Sequence, residues 1–150
     1  MYYPDLSFYP SEGKAVVGGY LRLSVGWLAA KQPYTQGDVS VAFTDHLWVL
    51  CRNSVLHMLG YHKCPFCSNS AFGVLEQNGS EELRLGSAEI RVLGKNKIIY
   101  AAPDLIYHYV VEHHYRPPNE FVQAVLEGPL PESPEYKTVD IVVDIERSEL

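Results

Sequence analysis

The chain has 150 residues, 47% of them hydrophobic, which suffices for one compact domain whose core needs neither a metal nor disulfides merely to form. A formal charge of -6 removes the long-range basic field of a non-specific nucleic-acid binder, and no apolar run approaches the length of a membrane span. Three cysteines is an odd number, which argues against a fully paired disulfide framework.

The opening "MYYPDLSFYP" has neither the basic flank nor the apolar centre of a secretion signal, so a cytoplasmic protein is expected. Its prolines and aromatics suit an extended arm laid on the body. Tyr2, Tyr3, Phe8 and Tyr9 could alternatively anchor a protein partner, but packing onto their own domain is the favoured reading. After Gly18-Gly19, Leu21, Leu23, Val25 and Trp27 alternate as in a strand with one buried face. Residues 39 to 51 carry Phe43, Leu47, Leu50 and Cys51 on one helical stripe, with Asp38 or Ser40 as the cap, which makes Cys51 a core residue.

"SNSAFGVLEQNGSEE" reads as a loop-rich stretch, and "LGSAEIRVLG" with "KNKIIYAA" reads as a hairpin turning near Gly94 to Asn96. A helix over 103 to 114 follows, with Pro103 at its first position and Asp104 in its first turn. Pro117 ends it, and a second helix over 118 to 127 stops at Gly128, with Phe121 and Val125 one turn apart. Residues 129 to 150 read as a proline-rich linker, then a late strand through Val139, Ile141, Val143 and Ile145 or an acidic arm. The domain proper is 1 to 128. The expected class is α+β: a small antiparallel sheet packed by about three helices, with a zinc knuckle joined to a hairpin-helix unit.

The knuckle is "GYHKCPFC", residues 60 to 67. Cys64 and Cys67 can turn both sulfurs toward one ion, and His108 and His113 supply the two nitrogens of a structural zinc site. The intervening loop is far longer than in a DNA-reading finger. Five residues separate the two histidines by ~140° on an ideal helix, too far to share an ion. His113, however, lies four before Pro117, where the helix must distort. His62, beside the knuckle, is the alternative ligand, with His114 a further substitute; His46 and His57 read as ordinary residues.

"CPFC" also looks like a glutaredoxin active site, which needs a strand before it and a helix opening at its first cysteine. Gly60 and "SNSAFG" supply neither. "HYVVEHH" lacks two histidines four apart around a glutamate, and neither a nucleophile elbow nor a phosphate loop occurs. Four protein ligands leave no open position, so the site speaks for structure and no catalytic residue is assigned. A metalloenzyme with an open zinc position and Glu112 as base is the alternative, with thiol-disulfide exchange behind it.

The chain resembles a set of small bacterial proteins of unassigned function. The resemblance rests on "YYPDLS", "VGWL", the Gly-aromatic-His-x-Cys-x-x-Cys segment and "AAPDLIYHYVVEHHYRPPNEF", spread over roughly 1 to 127. It implies histidines at His62, His108 and His113, leaves His114 at a variable position, and does not extend to 129 to 150. A zinc-stabilised accessory or interaction module with a protein partner is the expectation.

Overall fold

A computed structural model describes residues 2–9, 16–57, 59–68 and 72–138. In chain order the elements are β1 (Val16–Val17), β2 (Tyr20–Ser24), α1 (Val41–Arg52), β3 (Val74–Asn78), β4 (Glu81–Leu85), β5 (Glu89–Leu93), β6 (Ile98–Pro103), α2 (Ile106–His113) and α3 (Asn119–Glu127). A further helical stretch covers 134–138, with Tyr136 buried. The late strand or arm expected beyond Thr138 lies outside the described residues.

The fold is α+β, and its four-stranded sheet runs in the order β1-β2-β6-β5. The β5–β6 hairpin is antiparallel as expected, from Glu89 opposite Pro103 to Leu93 opposite Ile99. β2 differs: it lies parallel to β6, with Leu21 opposite Ile98 and Ser24 opposite Ala101, so the sheet is mixed and not wholly antiparallel. Hairpin chemistry decides only neighbouring strands, and α1 and three strands separate these two in the chain.

One sheet face carries Ile90, Val92, Tyr100 and Ala102 against the helices. Ser40 caps α1 by accepting from the Phe43 N–H at 3.1 Å, and Phe43, Leu47, Trp48, Leu50 and Cys51 are buried, the expected stripe plus one tryptophan. Phe121 of α3 meets Phe43 at 6.3 Å and Tyr100 at 5.9 Å between ring centroids. Gly128 ends α3 as expected, but at φ -74 its need is space: a Cβ there would lie 2.8 Å from the Leu93 carbonyl oxygen.

The other face buries Arg22, Ser24, Glu89 and Arg91. Tyr9 and Arg91 both donate to the Glu89 carboxylate, and the Arg91 guanidinium sits 5.1 Å from the Tyr9 ring centre. This ring belongs to the N-terminal arm, which continues the edge of β2 through Leu6 N–H to Ser24 O at 2.7 Å and Tyr9 N–H to Arg22 O at 3.0 Å. Tyr3 packs edge-on and Tyr9 tilted against Trp27, so these two serve the domain's own packing, while Tyr2 and Phe8 stay exposed.

Two further expectations need correction. Pro103 ends β6 and does not open α2, which begins at Ile106; the last position of a strand can spare the missing donor. Asp104 is correspondingly buried in the connection before α2 and not part of its first turn. The stretch after the knuckle, read as loop-rich, holds two strands among its described residues: β3 and β4 form a hairpin paired from Val74–Leu85 to Asn78–Glu81. Its loop is Gly79-Ser80, with Gly79 at φ 62, the first-position glycine of a type II′ turn.

Candidate metal centre

The two inner residues of "CPFC" hold the knuckle in place. Proline presets the turn, the Cys67 N–H closes onto the Cys64 carbonyl at 3.4 Å, and the Phe66 N–H donates to Cys64 Sγ at 3.4 Å. Phe66 drives its ring among Tyr34, Tyr109 and His113, with centroids 5.2 to 5.9 Å away. On the approach, the His62 N–H donates to Gly86 O at 2.8 Å. That close pass requires glycine at 86: its φ is +123, and a Cβ would meet His62 O at 2.8 Å.

The opposite wall is α2, buried on almost every side through Ile106, Tyr107, His108, Tyr109 and Val110. The expected distortion at its end is present. His114 turns left-handed at φ 58, and its N–H reaches the Tyr109 carbonyl, five residues back. The Tyr115 N–H reaches the same oxygen at 3.1 Å. A turn closed over five residues is wider than an α-turn, which brings residue i+5 back over residue i. His113 thereby swings over His108, their rings 4.9 Å apart. The 34–37 loop braces this end, with Tyr34 OH donating to His113 O at 2.9 Å and the Gly37 N–H to His114 O at 3.0 Å.

The side chains of Cys64, Cys67, His108 and His113 converge, their ligand atoms all within 4.8 Å of one another, and could hold a metal ion. Nε2 of His113 lies 3.4 Å from both sulfurs, Nε2 of His108 lies 3.3 Å from Cys67 Sγ, and the two nitrogens are 3.2 Å apart. Bonds of ~2.3 Å to sulfur and ~2.0–2.1 Å to nitrogen give a tetrahedron whose edges are about 3.5 Å between S and N and about 3.3 Å between nitrogens. The four separations given, each involving an imidazole nitrogen, match those edges, and every pair in the group lies within 4.8 Å. Neither His62 nor His114 belongs to the group; both side chains are exposed, and His62 contributes its backbone to the knuckle instead. His46 bonds the Val125 carbonyl at 3.2 Å, His57 bridges Ala88, and Cys51 lies in the core, so these stand apart from the centre as expected.

One participant escaped the sequence reading. Glu76 of β3 places Oε2 2.6 Å from His108 Nδ1, both side chains nearly buried. A carboxylate there holds the Nδ1–H tautomer and leaves Nε2 free to ligate. The signal that could have found it is the turn "NGS" between "VLEQ" and "EELRL", which pairs the strands and turns Glu76 toward α2. Without a cation the site favours neutral forms. Burial pushes the Cys64 thiol up to about 11, and burial together with neighbouring His108 pushes the His113 imidazole down. A divalent ion must displace the thiol protons, so its affinity falls as pH drops.

A family model described as "Domain of unknown function (DUF7919)" matches residues 1–126. The chain belongs to this DUF7919 family. No curated protein and no solved structure matches it. The DUF7919 match covers the arm, the sheet, the knuckle and both histidines of α2, so the whole candidate centre lies inside the family's domain. Among the described residues, no helix is long and apolar enough to cross a membrane.

Proposed function

We propose that the centre holds Zn2+ as a structural ion through Cys64, Cys67, His108 and His113, in a small accessory module of the cytoplasm that works by binding another protein. One observation carries the zinc reading: two S and two N donor atoms gather within 4.8 Å of one another, with four of their separations at the 3.2–3.4 Å spacing of ligands around one small ion. Four protein donors fill the coordination shell, which supports a structural role over catalysis. Glu112 is exposed, and its carboxylate is not among the gathered ligand atoms. Thiol exchange is disfavoured by the rise in the Cys64 pKa, the reverse of what an attacking thiolate needs.

The interaction reading draws on a surface beside the centre. Tyr61, Phe72 and Leu75 are 42%, 76% and 48% exposed and gather around Arg84, which donates to Phe72 O at 2.8 Å and stands 5.8 Å from the Tyr61 ring centre. Exposed apolar residues grouped around an arginine match the composition of partner-binding surfaces. Elemental analysis of protein purified without chelator tests the zinc assignment. One equivalent of zinc, lost in Cys64→Ser and in His108→Ala, supports it; a folded, metal-free wild type removes it.

A further inference from the structure

β2 and β6 run parallel, and a cavity of about 220 Å3 opens beyond their carboxyl ends. A single water needs only ~10–15 Å3 by that measure, so the space admits a small organic molecule. The loop after β2 and the end of β6 form two walls, and the approach to the knuckle, with Lys63 and Pro65, forms another.

Its polar groups are unequal. Glu89 is neutralised by Arg91 and Tyr9. Asp104 is 3% exposed and accepts the Gly86 N–H at 2.8 Å, yet no ion pair among the described residues involves it. Burial pushes its carboxyl up to about 6, eased by backbone N–H groups and by nearby His57, so near neutral pH it is ionised with no ion-pair partner among the described residues. Around it stand the rings of Tyr3, Trp27 and Tyr109, whose faces attract positive charge. Lys63 at the rim has an exposed side chain and is free to extend into solvent.

We infer that this cavity binds a small organic ammonium ion, its N–H donors on the Asp104 carboxylate and its carbon body against Trp27 and Tyr3. An anion would meet the Asp104 carboxylate, which no cation offsets among the described residues. A neutral molecule would leave the Asp104 charge without a counter-ion. The cationic headgroup compensates the buried charge while the rings cover the carbon body.

The test uses benzylamine, with benzyl alcohol as its neutral counterpart, titrated into metal-replete protein. Calorimetry and the NMR signal of the Trp27 indole N–H, which donates to Ala101 O at 2.9 Å, are followed together. Benzylamine should bind saturably and about tenfold or more tighter than benzyl alcohol, the value of one charge-assisted hydrogen bond. Asp104→Asn keeps an oxygen for the Gly86 N–H and should bring the two ligands to within about threefold at unchanged zinc content. No saturable binding of benzylamine, equal binding of the alcohol by the wild type, or undiminished discrimination in folded D104N overturns the inference. The wild-type comparison decides the matter even where the variant fails to fold. Zinc content is read separately, so loss of the amine site and loss of the metal site are told apart.

Discussion

Glu76→Gln removes one charge from the proposed metal centre and leaves its shape. Glu76 Oε2 lies 2.6 Å from His108 Nδ1, and the two side chains are 12% and 5% exposed, so solvent screens the pair little. An imidazole donating its Nδ1–H to a carboxylate is a stronger donor at Nε2, the atom that faces Cys67 at 3.3 Å. Loss of such a partner lowers metal affinity about 10- to 100-fold, or ~1.4–2.7 kcal/mol. Glutamine still offers an oxygen to Nδ1–H, so E76Q should fall near tenfold and E76L nearer a hundredfold. Competition against a chromophoric zinc chelator at fixed pH reads the affinity, and the melting midpoint of chelated protein separates folding from binding. Affinities within about twofold of wild type for both variants would refute the role given to Glu76.

Three further outcomes follow from the same geometry. Chelation should remove several kcal/mol of stability and speed amide exchange first in 60–67 and 106–113, while β5 and β6 keep their protection; uniform loosening would contradict a locally acting ion. Asp104 is protonated more readily in the folded chain than in the unfolded one, since its pKa rises from 3.8 to about 6. Its contribution therefore favours folding at low pH and is lost as pH climbs from about 4 to about 6, by up to ~3 kcal/mol. Urea titrations of chelated wild type and D104N should diverge across that window, and parallel curves would refute the burial argument. Gly86→Ala should cost about 2–4 kcal/mol, since alanine resists φ +123 and its Cβ meets His62 O. A melting midpoint near wild type would show that the knuckle does not depend on this close pass.

Local chemistry in the sequence accounts for much of this arrangement. The α1 stripe with its Ser40 cap, the β5–β6 hairpin and the Phe121–Val125 face of α3 are all legible, because each follows from the period and capping of one segment. The gathering of Cys64, Cys67, His108 and His113 was legible from residue type and spacing, and so was the need for a distorted helix end. The means of distortion was not, because it depends on the 34–37 loop bonding the carbonyls and amides after His113. The parallel β2–β6 pair is a long-range choice that no local pattern records. Pro103 reads equally well as a strand end or a first helical residue; pairing with Glu89 decides it. Glu76 was missed because "NG" and alternation are weak in a stretch rich in Ser, Asn and Glu, where an isolated two-stranded hairpin is marginal without a neighbour such as α2.

X-ray absorption at the zinc edge of protein purified without chelator tests the four-ligand centre most directly. Two sulfurs at ~2.3 Å and two imidazole nitrogens at ~2.0–2.1 Å are expected, with the sulfur contribution halved in Cys67→Ser. A shell containing a water oxygen, or a purified wild type that is folded and free of metal, would contradict a closed site built from Cys64, Cys67, His108 and His113.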